Sequence, residues 1–134
     1  MRTRFGTRIT QDTNTLRYMV ANRNTVNAIA FIADQAAPAQ NAYWTTFLNQ
    51  ETSVFTGPEK LSTKFDYPVV YLRIERTRRG YYDVHAELLF EHPNVTAENE
   101  ISEAFTRRLE KDIVSDPSTW LWSHKRWKSV KPEK

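Results

Sequence analysis

Few residues in this chain have a type and setting suited to chemistry, and they fall in three places. Asp34 ends the apolar run "NAIAFIAD" (27–34), and the tip of a buried strand is where α/β proteins present reactive polar groups. A carboxylate there can orient a substrate, although such an acid more often accepts from backbone amides of the loop that follows. Arg4, followed by Phe5-Gly6 and flanked by Arg2 and Arg8, can offer a planar fork of donors to a phosphate or carboxylate. Taken by itself it reads more readily as part of a solvated basic stretch. The third place is "TWLWSHKRWKSVKP" (119–132), where three tryptophans and four basic residues share fourteen positions. These types suit a nucleic-acid platform, a membrane-facing patch, or a packing element that braces a site elsewhere.

Much other chemistry is excluded. No cysteine is present, so disulfides, thiolate metal sites and a cysteine nucleophile are out. His85, His92 and His124 pair with no further ligand at metal-binding spacing, so no metal and no other cofactor is expected. There is no Gly-x-Ser-x-Gly elbow and no glycine loop to cradle phosphate. The stretch Gly57-Pro58-Glu59-Lys60 matches a Pro-Glu-Gly phosphate motif only superficially, because its glycine is on the wrong side.

Behind these residues stands one domain's worth of chain, 134 residues with a formal net charge of +3 and 40% hydrophobic content. That length buries roughly two-thirds of the unfolded surface. The basic start "MRTRFGTRIT" is followed by no apolar signal-peptide core, and "AIAFIA" (28–33) is far too short to span a bilayer. A soluble chain is therefore expected.

Hydrophobic periodicity predicts the elements that position the candidates. Asp12 or Thr13 can cap a short helix with Leu16, Met19 and Val20 on one stripe. Residues 28–33 read as a buried strand, "YWTTFL" as a short one, and Thr56-Gly57-Pro58 as the entry to a helix carrying Leu61 and Phe65. "PVVYLRIER" and "YYDVHAELLF" alternate around "TRRG", the clearest hairpin in the chain. Ile101, Ala104, Phe105, Leu109 and Ile113 form the stripe of a helix over 98–114, and Asp116-Pro117 begins a last turn. The expected class is α/β: a mixed sheet containing 28–33, 69–76 and 81–89, flanked by helices.

The tryptophan segment carries a resemblance. Pro117, Trp120, Leu121, Trp122, His124, Lys125, Arg126, Trp127 and Lys128 fill, in order, the ending Pro-x-x-aromatic-Leu-Trp-x-His-[Arg/Lys]-Arg-[Trp/Phe]-Lys. That ending is typical of the bacterial lipid A biosynthesis (late) acyltransferases, of the lysophospholipid acyltransferase superfamily. The rest is similar in order and spacing. Arg4-Phe5-Gly6 matches an Arg-x-[Asn/Gly] stretch and Asp34-Gln35 a strand-end Asp-[Gln/His]; "YWTTFLN", "SVFTGPEKLSTKF" and the charged hairpin follow in turn. The similarity spans nearly the whole sequence. Two departures touch the loops: "AAPAQ" follows Asp34-Gln35 where the family often has Asp-x-Gly, and "FLN" (47–49) replaces Phe-Phe-Gly.

What the resemblance implies is specific. Residues 1–134 correspond to one domain, the C-terminal part of a glycerolipid acyltransferase-like fold. The membrane anchor and the His-x4-[Asp/Glu] motif, whose histidine takes the acceptor's proton, belong to a preceding half. Five residues after His85, His92 and His124 stand Phe90, Ala97 and Ser129, so no general base of that kind is in this chain. The full enzyme would work at the cytoplasmic face of the bacterial inner membrane. It would move a fatty acyl group from acyl carrier protein or acyl-CoA to a lipid hydroxyl. Arg4, Asp34 and Gln35 become the substrate-binding candidates, and Lys125, Arg126 and Lys128 a basic surface for anionic head groups or an acidic carrier, with the tryptophans packed on the core. No nucleic-acid partner is expected, and the half by itself should self-associate. The alternative is a non-catalytic module that binds anionic lipid or acyl carrier protein.

Overall fold

A computed structural model describes residues 3–40 and 42–132, with the side chain of Asp12 also outside the described set. The chain forms two compact units, Met1–Phe31 and Ile32–Lys134. In the first, a 3₁₀ turn (Asp12–Asn14) runs into helix α1 (Thr15–Ala21). Asn22 closes it by donating from Nδ2 to the Tyr18 carbonyl at 2.8 Å. Of the expected stripe, Met19 is buried while Leu16 and Val20 stay exposed. Asn14, rather than the expected Thr13, stands at the N-cap of α1, and the side chain of Asp12, the other expected cap, lies outside the described residues.

The second unit holds two antiparallel hairpins and two helices. Strands β1 (Tyr43–Phe47) and β2 (Gln50–Val54) pair through a two-residue turn, Leu48-Asn49, both at positive φ. Such a turn matches the right-handed twist of the strands. Leu48 is held in this unfavourable conformation by Glu110, whose carboxylate accepts from its amide at 2.6 Å. Helix α2 (Gly57–Phe65) begins at Thr56 with Pro58 in its first turn, as expected, and stops at Asp66 in the left-handed region. Strands β3 (Val69–Arg78) and β4 (Tyr81–Phe90) form the second hairpin, with Gly80 at φ +82° in the turn.

Helix α3 (Glu100–Ser115) packs on both hairpins. Ile101 and Ile113 of its stripe are buried, and Phe105 meets the Tyr71 ring at 5.8 Å. Its first turn is anchored by Glu59 of α2, a buried carboxylate that accepts from the amides of Asn99 (2.6 Å) and Ser102 (2.9 Å) and from the Ser102 hydroxyl. Negative charge at a helix start is favourable, and here it also satisfies amides that have no partner within the helix.

The class is mixed α/β, with helices beside antiparallel pairs. One expected element is corrected: residues 28–33 form no strand and are mostly exposed. A strand exists only through a neighbour's ladder. Each hairpin closes its ladder on itself, so this apolar run is paired with neither.

Candidate functional site

Asp34 and Gln35 lie at a bend just before Ala36 and Ala37, which are buried. Asp34 is half-buried and Gln35 exposed. The two alanines are gripped from three directions. The Ala36 amide donates to Nε2 of His124 at 3.1 Å, a bond that needs the neutral ring with its proton on Nδ1. The Ala37 carbonyl accepts from the hydroxyls of Ser53 (2.8 Å) and Ser129 (3.1 Å). Small side chains let the loop sit this close to β2.

The tryptophan segment is the other wall. Pro117–Thr119 make a 3₁₀ turn in which the Asp116 carboxylate accepts from the Ser118 amide at 3.2 Å. Trp120 and Trp127 then flank Phe47, which is fully buried, at 6.1 and 6.4 Å between ring centroids. Trp127 donates from Nε1 to the Thr52 hydroxyl at 2.8 Å. Trp122 is more exposed, and its Nε1 donates to the Pro117 carbonyl at 2.7 Å. Trp120 and Trp127 therefore fold onto β1 and β2, as expected of a segment packed on the core, whereas Trp122 departs from that expectation and stays exposed.

Arg126 overturns an expectation. Placed on the basic surface by its sequence, it is only 4% exposed. Its Nη1 donates to the Ser53 carbonyl at 2.9 Å, and its guanidinium lies 5.6 Å from the Phe47 ring centroid. The buried Nε has no hydrogen-bond partner among the described residues. Burial pushes the guanidinium below the ordinary arginine range, and the charge of Asp34 works against that shift. The physical reason is its neighbour: Trp127 seats on Phe47 and bonds Thr52, which carries the adjacent Arg126 inward to the Ser53 carbonyl. Lys125 and Lys128 do remain exposed.

Arg4 belongs to the first unit, in an exposed turn closed by Gly6 at φ +84°, with its guanidinium 5.7 Å from the ring of Phe5. Asp34 belongs to the second unit. A shallow, open pocket of about 100 Å³ lies beside the loop, lined by Ala37, Pro38, Val54 and Gly57 among others. It is smaller than ligand cavities of roughly 300–1,000 Å³. Among the described residues, no helix is long and apolar enough to cross a membrane.

Two residues with clear jobs were not legible as such. His124 was one position of a motif, yet it is the acceptor that fixes the loop after Asp34. Glu59 was set aside with its motif, and it organises the start of α3. For Glu59 the one available signal was an acid in a first helical turn.

The sequence model of the bacterial lipid A biosynthesis acyltransferases matches residues 1–129. No curated protein and no solved structure matches the chain.

Proposed function

This chain belongs to the bacterial lipid A biosynthesis acyltransferase family, and we propose that it supplies the C-terminal half of a membrane-associated O-acyltransferase. The family match over 1–129 carries this reading. The reaction is acyl transfer to oxygen. A histidine base in the other half takes the proton of a lipid hydroxyl, the oxygen attacks a thioester carbonyl, and the carbon–sulfur bond breaks to release the carrier's thiol. The donor is acyl carrier protein or acyl-CoA, and the complete enzyme works at the cytoplasmic face of the inner membrane.

Within this scheme the present chain binds and orients. Arg4 holds an anionic group of the substrate through its fork of donors, and Asp34 with Gln35 organises the site from the clasped loop. Exposed Lys125 and Lys128 favour an anionic lipid surface or an acidic carrier. The test joins this chain to a half carrying an anchor and His-x4-[Asp/Glu], then follows a labelled acyl group. Transfer that depends on both the added histidine and this chain is expected. Binding of anionic vesicles or acyl carrier protein without any transfer would instead identify a non-catalytic module.

A further inference from the structure

We infer that His124 is a positioning residue for Asp34: the 124–129 segment fixes the loop that carries the aspartate. The functional weight of this inference rests on the proposed role of Asp34; the geometry itself does not.

The loop is held immediately after the aspartate. Its Ala36 amide goes to His124 and its Ala37 carbonyl to Ser129, so two side chains of the terminal segment grip consecutive residues. Ser53 adds a bond from β2 to the same carbonyl. These three contacts leave the backbone at 36–37 little freedom, and Asp34 sits two residues upstream on a half-buried bend.

Amide exchange at Ala36, followed by NMR on the 134-residue chain, tests this without substrate. His124→Leu should lower protection of that amide by about tenfold or more, as loss of a single local bond does, while the α3 amide of Thr106 keeps its protection. His124→Gln, which offers an acceptor at the position of Nε2, should restore it. Unchanged protection in His124→Leu, or no recovery in His124→Gln, overturns the positioning role of His124.

The positioning and substrate claims separate cleanly. Lost protection at Ala36 in His124→Leu together with full activity of Asp34→Ala in the complete enzyme keeps the positioning and removes the substrate role; unchanged protection together with lost activity does the reverse.

Discussion

The hydroxyl of Tyr71 on β3 donates to the carboxylate of Asp112 on α3 across 2.9 Å, joining hairpin and helix through the polar face of the sheet. Asp112 also accepts from Arg108 and lies 3.7 Å from Nε of Arg73, while Arg108 reaches Glu87 on β4 at 2.6 Å. The packed face of this hairpin is therefore charged and hydrogen-bonded. Its other face is apolar and open.

The Tyr71 hydroxyl gives a pH prediction. Burial, then the bond to Asp112 and its charge, push it well above the ordinary tyrosine range. The unfolded chain ionises at about pH 10, so the folded state holds this proton longer. Stability should be steady below about pH 10 and fall as pH rises beyond it toward the folded value. Tyr71→Phe should cost about 1 kcal/mol at neutral pH and make the alkaline fall shallower. Tyr43, raised by burial and by Glu103, leaves a residual slope. Urea midpoints measured at several pH values check this; an identical alkaline fall in both chains would reject it.

Glu59 predicts a local effect with a global cost. Its carboxylate serves two amides and one hydroxyl at the start of α3. Glu59→Ala should therefore cost about 3 kcal/mol, since it removes charge-assisted bonds and orphans buried amides. Glu59→Gln should cost less, because an acceptor remains. Hydrogen exchange should rise first at Asn99 and Ser102, and an unchanged exchange rate at both would contradict the anchor.

The legible elements were those with long periodic signals. Ile101, Phe105 and Ile113 predicted α3 to within two residues at its start and one at its end, and the alternation around Gly80 predicted β3–β4. Residues 28–33 misled because an apolar run records burial without naming a partner, and no ladder reaches it. Strand β2 was hidden for two reasons. Its sequence, Gln50–Val54, is largely polar, and its turn places Leu48 where leucine is unfavoured. Buried Thr52 and Ser53 are bonded to Trp127 and Ala37, which no periodicity reports. Arg126 was misplaced for a related reason: charge argues for the surface, and only its aromatic neighbours argued otherwise.

The open hairpin face predicts self-association. Val70, Leu72 and Ile74 on β3 lie opposite Leu88, Ala86 and Val84 on β4, and the five large ones are 48–65% exposed. Together they present several hundred Å² of contiguous apolar surface, approaching the ~800 Å² per partner of a standard interface. A second copy, face to face, would cover it. Sedimentation should show a dimer in the micromolar range, and Leu72→Lys or Ile74→Lys should return a monomer. A parent chain that stays monomeric at high concentration would count against it.

The absence of His-x4-[Asp/Glu] predicts inactivity of these residues on their own. No histidine here is followed at the fifth position by an acid, so nothing of that pattern can deprotonate an acceptor hydroxyl. The 134-residue chain should transfer no label from acyl carrier protein to any lipid acceptor. Turnover well above a heat-killed control would sink the assignment of the base to another half.

Arg4 and Asp34 carry the sharpest functional prediction. In the complete enzyme, Arg4→Ala and Asp34→Ala should each lower kcat/KM by at least about tenfold, roughly 1.4 kcal/mol of transition-state stabilisation. Lysine should fail to rescue Arg4 if the guanidinium grips its anion with two donors, since an ammonium cannot match that geometry. The two replacements should differ in stability. Arg4 is exposed in a turn and its loss should leave folding unchanged, whereas Asp34 is half-buried on the bend before the clasped loop and its loss should lower the unfolding midpoint modestly. Activity must therefore be read under conditions where Asp34→Ala is fully folded, as judged by circular dichroism. Full activity with both residues replaced would end the claim that either one touches substrate.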